Sequence, residues 1–365
     1  MKPYVPDKLP LKNIVWAKHV SAIGQAHHAL GIYDGMLQSM VNPTLLLAPL
    51  ITREAVLSSR MEGMGATLEE VLLFDADPSE ALDESKYQDI MEVVNYRNSM
   101  AHAVKRLDVQ PISLSLIKEL HGILLDSERG RSKSPGEFRI RQNYIVGHAG
   151  ASIEEAIFIP PSPENVMPSM VNFEKYIQFE ERDVLVQLAI IKAQFQLIHP
   201  FLDGNGRISR LLIPLFLYAK KSMASPMFFL SPYLENNRGA YHRNMQAVPD
   251  KKDWDSWISF FLQAIIKQAE SSISQIGDIL SLYDKVSLQI PQITNSTFSM
   301  NACDALFAAP VFTNASFIER SGIAKHSAMR IIRRLREYGL LLEIRKPKGR
   351  RAAIYQFKEL CEIIK

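Results

Sequence analysis

An apolar stripe with helical spacing, ending at a histidine–proline pair, is the feature that most constrains this chain. Within DVLVQLAIIKAQFQLIHP the apolar positions follow one another at intervals of four, three, four and three residues: Val184, Leu188, Ile191, Phe195 and Ile198. This spacing predicts an α-helix that is buried along one face. Pro200 does not fit inside a helix, so the chain must turn after His199. Because a second helical pattern starts at Ile208, we predict two helices joined by a tight loop.

The loop and the start of the second helix, HPFLDGNGRISR at residues 199–210, carry the groups of an anion-binding site. A helix N-terminus offers unpaired N–H groups and the positive end of the helix dipole. Gly204 and Gly206 leave that backbone open to a phosphate group. Arg207 and Arg210 are three positions apart, so both extend from one side of the helix start and can donate to phosphate oxygens.

An acid and a base complete this set of groups. Asp203 would repel a phosphate unless a cation such as Mg²⁺ lay between them. His199 titrates near neutral pH and can accept a proton from an attacking hydroxyl. Taken singly, a terminal HP and a DGNG turn are ordinary features of helices and loops, but their occurrence together favours phosphoryl or nucleotidyl transfer. The spacing fits neither a P-loop nor an EF-hand, which would need an oxygen ligand at Arg207.

HPFLDGNGRISR resembles the signature HPFx[DE]GNGRxxR of Fic-domain proteins and matches it at every fixed position. The resemblance continues through GEFRIRQNYIVG, AIFIPPSPENV and NNRGAYHRNMQAVPDKKDWDSWISFFL, and so covers most of the chain before the C-terminal segment. It implies a helical Fic fold. It also implies the activity for which the family is best known, in which AMP is transferred from ATP to a hydroxyl side chain (Tyr, Thr or Ser) of a target protein and pyrophosphate is released.

The resemblance assigns roles to the residues of the motif. His199 is implied as the general base, Asp203 as the ligand of Mg²⁺, and Arg207 and Arg210 as the groups that hold the outer phosphates of ATP. The other motif residues are implied to border the nucleotide: Gly204, Asn205 and Gly206 as the anion cradle, with Ile208 and Ser209 beside them. Tyr241 is implied to border the adenine pocket, while Ala240 stands where the family often has a second aromatic residue.

Two β-prone runs, Tyr144–Val146 and Ile157–Ile159, surround a glycine-containing centre and predict a hairpin or flap. By the resemblance, the flap covers the nucleotide and offers its edge to an extended target segment by β-augmentation. The flap residues implied to contact ATP are Val146, Gly147, His148 and Ala149.

A second short stretch, SSRMEG at residues 58–63, fits the pattern [ST]xxxE[GN] through Ser58, Glu62 and Gly63. Taken alone it is typical of an exposed helical turn with solvated charges. It resembles, however, the inhibitory helix of many Fic proteins. A carboxylate directed into the nucleotide site can pair with Arg210 and occupy the guanidinium that the γ-phosphate needs. We therefore predict autoinhibition by Glu62, although a glutamate at this position can also support the reverse reaction, removal of AMP from a protein.

The C-terminal segment from about residue 297 onward differs in character. It predicts a short helix, a turn at Ser321 and Gly322, a second helix over His326–Tyr338, and two strands around a basic turn at 346–351, which together resemble a winged helix. Eleven basic residues lie between Ser316 and Arg351 against three acidic ones, although the net charge of the whole chain is only +3. They are Arg320, Lys325, Arg330, Arg333, Arg334, Arg336, Arg345, Lys346, Lys348, Arg350 and Arg351. The segment fits DNA binding or, alternatively, protein docking.

Together these patterns predict a mainly α protein: a Fic helical fold with a β-hairpin flap, followed by a winged-helix (α+β) domain. The expected domains are residues 1–100 with the inhibitory motif, a catalytic core at 101–265, a helical linker at 266–296 and the winged helix at 297–365. We expect a cytoplasmic protein without membrane spans. Cys303 and Cys361 suggest neither a disulfide nor a zinc site.

Three functions are compatible with the sequence. The first is an adenylyltransferase that Glu62 inhibits, with Mg²⁺ as cofactor and ATP and a protein as substrates. The second is a hydrolase that removes AMP from a protein. The third is a nucleotide-sensing, DNA-binding regulator, which the intact His199 disfavours because a sensor needs no base. Self-modification and a homodimer are compatible with all three.

Overall fold

The computed structural model describes residues 2–40, 42–79, 82–146, 153–349 and 351–365, and it is mainly helical, as predicted. Its α-helices are α1 (Val20–Ser39), α2 (Pro43–Leu46), α3 (Ala48–Arg60), α4 (Leu68–Ala76), α5 (Glu84–Leu107), α6 (Leu114–Leu124), α7 (Glu128–Arg131), α8 (Pro163–Gln178), α9 (Val184–Ile198), α10 (Asn205–Ala219), α11 (Ser231–Asn236), α12 (Arg238–Lys251), α13 (Trp254–Thr294), α14 (Ser299–Ala308), α15 (Asn314–Ser321), α16 (Lys325–Tyr338) and α17 (Lys358–Ile363). Two short 3₁₀ helices cover Trp16–Lys18 and Ile153–Glu155. The strands are β1 (Val311–Thr313), β2 (Leu342–Arg345) and β3 (Ile354–Gln356).

The chain divides into two compact units, each assembled from separate stretches of sequence. The first comprises Met1–Asp34, Leu57–Gly63 and Val94–Glu270, and the second comprises Gly35–Val56, Met64–Val93 and Ser271–Lys365. The motif SSRMEG therefore belongs to the same unit as HPFLDGNGRISR. The domain limits expected from the sequence, at residues 100, 265 and 296, remain predictions.

Helix α9 is the centre of the first unit. The sequence predicted one buried face, but nearly the whole helix is buried, including polar residues such as Gln187 and Lys192. Packing on several sides explains the difference, since α9 lies against both α8 and α10, and the Trp257 indole of α13 donates to the Ala189 carbonyl at 2.7 Å. A helix surrounded in this way loses its solvated face.

The predicted flap is described only at its two flanks. Ile145 and Phe158 form an antiparallel bridge, in which the Ile145 amide donates to the Phe158 carbonyl at 2.8 Å and the Ile157 amide donates to the Ile145 carbonyl at 2.8 Å. The flanks therefore pair as a hairpin requires. The residues at its centre, Gly147, His148 and Ala149, lie outside the described residues.

The C-terminal part of the second unit contains a three-stranded antiparallel sheet in the order β1–β3–β2. Helices α15 and α16 follow β1 and are separated by a turn in which Gly322 has a φ of +64°. A φ in this range favours glycine, and Gly322 ends α15. The predicted helices and strands are thus present with boundaries within a few residues, while the closer assignment to the winged-helix class remains a prediction.

No helix in the described part of the chain is both long and apolar enough to cross a bilayer.

The start of α9 gives a test of the first unit's stability. Asp183 caps the helix by accepting from the Leu185 and Val186 amides, both at 3.0 Å, and it pairs with His27 at 2.7 Å. Replacing a capping aspartate with alanine costs about 1 kcal/mol. We expect Asp183→Ala to lower the free energy of unfolding in urea by this amount or more. Asp278→Ala is the matched control, because it makes the same substitution at an exposed position inside α13 that caps no helix.

The pH dependence of this effect follows from the two pKa shifts. Burial would raise the pKa of Asp183, but His27 and the helix amides lower it, and the Asp183 hydrogen bond raises the pKa of His27. The stabilisation of the folded state by Asp183 is present above the unfolded pKa of Asp183 and is lost in acid. The stabilisation by His27 is present below the unfolded pKa of His27 and is lost as the pH rises through its raised folded pKa. The loss caused by Asp183→Ala should therefore be greater at pH 6 than at pH 9; an equal loss at both would contradict a role for the pair.

Candidate active site

The loop between α9 and α10 is held in one conformation by its own residues. His199 ends α9 with a left-handed backbone (φ +48°), and Gly204 precedes α10 with a φ of +74°. The Asn205 side chain accepts from the Phe201 amide at 2.9 Å and donates to the Phe201 carbonyl at 2.8 Å. The Asn205 carboxamide therefore closes the loop, and only the backbone of Asn205 remains for the predicted anion cradle.

His121 attaches α6 to this loop. Its ring stacks on Phe201 with the centroids 3.6 Å apart. Its Nδ1 accepts from the Gly136 amide at 2.9 Å, so in the neutral ring Nε2 carries the hydrogen and donates to the Asp203 carbonyl at 3.1 Å. Burial lowers the pKa of His121 to about 4, which keeps this tautomer at neutral pH.

Arg139 holds the other end of the loop and was not singled out from the sequence. Its guanidinium donates to the His199 carbonyl at 2.9 Å and to the Pro161 carbonyl at 2.5 Å, and its amide donates to the Pro200 carbonyl at 2.9 Å. The side chain is buried, and burial lowers the pKa of Arg139 to about 10. A cation bound to several backbone carbonyls stabilises the unusual backbone of His199.

The imidazole of His199 is ready to act as a base. Its Nδ1 lies 3.3 Å from the Gln196 carbonyl, so in the neutral ring Nδ1 carries the hydrogen and Nε2 carries the lone pair. Burial is the largest influence on its pKa and lowers it to about 4, against the opposing effects of the Gln196 carbonyl and Glu62. The ring is therefore neutral at physiological pH.

The carboxylate of Glu62 lies on the N-terminus of α10. A side chain added at Gly206 would overlap Glu62 Oε1 and would come within 3.1 Å of Arg210 Nη1. The same oxygen accepts from Arg210 Nη2 at 2.7 Å. A carboxylate of the same chain therefore lies at the helix start where the sequence predicted an anion site. No phosphate could share that position with Glu62.

Ser58 and Gly63 hold this arrangement in place. Arg210 Nε donates to the Ser58 hydroxyl at 2.8 Å and Arg210 Nη2 donates to the Ser58 carbonyl at 2.6 Å. Gly63, which follows Glu62, has a φ of +90°, a value that favours glycine. The local structure thus explains why each of the three fixed positions of the pattern [ST]xxxE[GN] needs its residue type.

The ionisation of the pair follows from its surroundings. Burial would raise the pKa of Glu62, but Arg210, Arg207 and His199 lower it below the ordinary value. Burial would likewise lower the pKa of Arg210, and Glu62 raises it. Both side chains are therefore charged, and each is stabilised in that state by the other.

Asp203 and Arg207 form a second pair of opposite charges at the start of α10. The Asp203 side chain is 48% exposed, its Oδ1 accepts from the Gly204 amide at 2.6 Å, and Arg207 Nη2 is 3.9 Å away. Arg207 is buried and directed toward Asp203, whereas Arg210 is directed toward Glu62. The two arginines therefore extend from the start of α10 toward different carboxylates.

A cavity of about 780 Å³ brings the predicted groups together. Its wall includes Glu62, Val146, His199, Arg210 and Tyr241, as well as His242 beside Tyr241. Ile208 and Ser209 are buried within the packing of α10, where the Ser209 hydroxyl donates to Gln196 Oε1 at 3.1 Å and to the Gly206 carbonyl at 2.8 Å. Their side chains support the cavity wall from behind.

Lys192 is a further buried charge that was not singled out from the sequence. It lies in the middle of α9 and its Nζ donates to the Tyr241 hydroxyl at 3.0 Å. A lysine within the apolar run VLVQLAIIKAQFQLI was the available signal, because lysine is almost never fully buried without a reason. Arg139 offered no comparable signal, since its partners are backbone carbonyls.

Two adjacent stretches of the chain match known protein families. Residues 20–105 match the family described as "Fic/DOC family N-terminal", and residues 111–217 match the family described as "Fic/DOC family". The second stretch contains His199, Arg139 and Arg210, and the first contains Ser58 and Glu62.

Individual relatives are similar over part of their length. The "Protein adenylyltransferase Fic" of Drosophila melanogaster is 38% identical over 120 residues, which are 31% of this chain and 20% of that protein. The protein of the same name from Drosophila mojavensis is 39% identical over 109 residues, 28% of this chain and 18% of that protein. The match thus spans about a fifth of the length of these relatives.

Solved structures share the fold. A Fic family protein from Desulfovibrio desulfuricans G20 has a TM-score of 0.62 at 17% sequence identity, with 98% of both chains covered. A Fic domain containing signaling protein from Bacteroides thetaiotaomicron has a TM-score of 0.53 at 17% identity, over 70% of this chain and 97% of that chain. With its complete HPFLDGNGRISR motif, its two family matches and this fold, the chain belongs to the Fic/DOC family.

Proposed function

We propose that the protein is an adenylyltransferase that transfers AMP from ATP to a hydroxyl side chain (Tyr, Thr or Ser) of a target protein, and that Glu62 inhibits it. The observation that carries this proposal is a carboxylate bound at the N-terminus of α10, in the same cavity as a neutral histidine. The name of the Drosophila relatives, protein adenylyltransferase, supports the reaction.

The proposed chemistry uses the geometry of the loop. The hydroxyl oxygen of the target attacks the α-phosphorus of ATP, while His199 Nε2 accepts the hydroxyl proton. The bond from the α-phosphorus to its bridging oxygen breaks, and pyrophosphate leaves. The backbone at Gly206 and the guanidiniums of Arg207 and Arg210 would hold the phosphate oxygens. Arg139, His121 and Asn205 keep the loop in position throughout.

Asp203 fits the proposed magnesium ion. Its carboxylate is half exposed beside the anion site, and one of its oxygens is bonded to the Gly204 amide. The described residues contain no cluster of three His, Cys, Asp or Glu side chains, so most ligands of the ion would come from phosphate and water. This ligand set is usual for Mg²⁺ in nucleotide sites. When bound, the ion would neutralise charge on the phosphates.

Inhibition would follow from competition for one guanidinium. Arg210 donates to Glu62 with the guanidinium that is proposed to hold the γ-phosphate, and the carboxylate lies where an anion at Gly206 would bind. ATP that entered the cavity beside Glu62 would hold its phosphates out of line with the attacking hydroxyl. Misplacement of about 1 Å can cost about 100-fold in rate.

Removing the carboxylate tests this proposal. We expect Glu62→Gly to raise transfer of label from ATP labelled at the α-phosphate by about 100-fold, because Arg210 becomes available to phosphate. His199→Ala in the same background should abolish the transfer. Glu69→Gly, at an exposed glutamate of α4, is the matched control and should leave transfer at the wild-type level. Label on the protein itself would reveal self-modification in the same assay.

The same experiment separates the alternatives. Loss of label from a target modified beforehand, with no transfer from ATP, would favour the hydrolase. Binding of ATP without transfer or removal in any variant would favour a nucleotide sensor. If Glu62→Gly binds ATP and stays as inactive as the wild type, inhibition by Glu62 is wrong.

We also propose, as a separate function of the second unit, that the C-terminal segment binds double-stranded DNA. The structure divides its basic residues into two groups. Arg334 donates to the Ile293 and Thr294 carbonyls, Arg336 pairs with Glu343 at 2.9 Å, and Arg345 pairs with Asp77. These three serve the packing of the unit.

Other basic side chains of the described residues are exposed. On α16, Arg330 and Arg333 lie on the outer face, beside His326 and Met329, opposite the buried residues Ile331, Ile332 and Leu335. Lys346, Lys348 and Arg351 are exposed in the turn between β2 and β3. An exposed basic helix face with a basic strand turn suits the major groove and the phosphate backbone.

Fluorescence anisotropy with a labelled DNA duplex tests this surface. We expect Arg330→Ala with Arg333→Ala to weaken binding and to reduce the slope of log K against log salt by about 2, since each lost phosphate contact reduces it by about 1. Lys251→Ala with Lys267→Ala removes the same charge from exposed positions of the first unit and should change neither. Equal effects of the two double variants, or no binding at low salt, would count against the DNA function and in favour of protein docking.

A further inference from the structure

Lys192 is a buried cation without a carboxylate partner among the described residues. Its exposed fraction is 1%, although it lies in the middle of α9. Nζ donates to the Tyr241 hydroxyl at 3.0 Å and is 5.2 Å from the centroid of the same ring. Burying an ammonium group is costly unless nearby groups compensate for lost water. One neutral hydroxyl and one aromatic ring compensate only in part, so the position needs another explanation.

The charges that act on Lys192 are those of the proposed phosphate site. The pKa of Lys192 is lowered to about 7: burial is the largest cause, repulsion from Arg210 also lowers it, and attraction by Glu62 opposes both. Tyr241 has a pKa raised to about 12, so it remains neutral, and His242 has a lowered pKa, to which burial, Arg238 and Lys192 contribute. Lys192 and Arg210 are thus two cations close to one carboxylate.

The hydrogen bond to Tyr241 has a defined direction while Lys192 is charged. An ammonium group can only donate, so the Tyr241 oxygen must accept and its own hydrogen must point away from Nζ. Tyr241 lines the cavity together with Arg210 and Glu62. Lys192 itself contributes nothing to the cavity wall, and it therefore acts on the cavity through Tyr241 and through its charge.

We propose that Lys192 is a second cation of the anion site, a positioning residue that orients Tyr241 and attracts whichever anion lies at Arg210. In the inhibited state this anion is Glu62. Once Glu62 has withdrawn, two buried cations remain near each other, and the phosphates of ATP relieve their repulsion. This inference rests on the proposed binding of ATP, but it does not depend on whether the bound nucleotide is then transferred.

Binding of ATP, measured by calorimetry with Glu62→Gly as the starting variant, tests this proposal. Adding Lys192→Met keeps the length of the side chain and removes its charge. We expect it to weaken ATP binding about tenfold, since a coupling of one pKa unit corresponds to a factor of ten. Lys192→Gln, which can still donate to Tyr241, should weaken binding similarly. Gln194→Met replaces another buried polar residue of α9 that does not line the cavity, and it should leave the affinity unchanged.

The pH profile separates a charge effect from a packing effect. The pKa of Lys192 is lowered to about 7 even with the raising effect of Glu62, so in Glu62→Gly the ammonium is lost over a pH range that begins below 7. The affinity of Glu62→Gly for ATP should therefore fall over this range relative to that of the Lys192→Met double variant, in which the same titration is absent. Because ATP titrates identically in both measurements, the difference between the two pH profiles reports only the titration of the protein.

The outcomes are distinct. Equal ATP affinity with and without the Lys192 charge, or parallel pH profiles, would overturn the inference and leave the proposed transferase intact. If Lys192→Met does not fold, Lys192→Gln decides by the same two measurements. If Glu62→Gly binds no ATP at any pH, both the inference and the proposed function fail.

Discussion

The contact between Arg210 and the segment Ser58–Glu62 is the interaction on which the site depends. The guanidinium is buried and donates to the Ser58 hydroxyl, the Ser58 carbonyl and the Glu62 carboxylate. A buried arginine is strongly destabilising when it loses its anion. If Glu62 leaves, another anion must replace it, and a phosphate at the start of α10 is the replacement that the geometry allows. The proposed inhibition and the proposed binding of the outer phosphates would thus compete for the same residue.

The surrounding loop is, by contrast, fixed. Asn205 closes it, His121 holds the Asp203 carbonyl, and Arg139 holds the carbonyls of His199 and Pro161. None of these three side chains lines the cavity. Their hydrogen bonds position the backbone and the base before any substrate is present, which is how preorganised sites avoid the cost of rearrangement during the reaction.

The sequence predicted what is local and missed what depends on distant partners. Helices α9 and α10, the turn at His199 and the grouping of Asp203, Gly206 and Arg210 all follow from one continuous stretch of sequence that begins at Asp183. The contact of Glu62 with Arg210 spans 148 residues and was available only through a resemblance. Arg139 was not predicted because its partners are backbone carbonyls, which a pattern of side chains in the sequence does not reveal. The basic residues of the C-terminal segment were counted together, whereas only the structure separates those engaged in packing, such as Arg334, from those at the surface.

Because of where Glu62 lies, only a short segment of the chain would have to move for its carboxylate to leave Arg210. Ser58 is fully buried within α3, whereas Glu62 lies beyond the end of that helix, in the turn before Gly63, with a third of its side chain exposed. Arg210 can therefore lose its single bond to Glu62 and keep both bonds to Ser58. A change confined to residues 61–63 would be enough, and short exposed turns rearrange at a much lower free energy than buried helices. Release of the proposed inhibition would thus not require α3 to unfold or separate; a stronger anion than the Glu62 carboxylate at Arg210, or a partner that holds this turn away, would be enough.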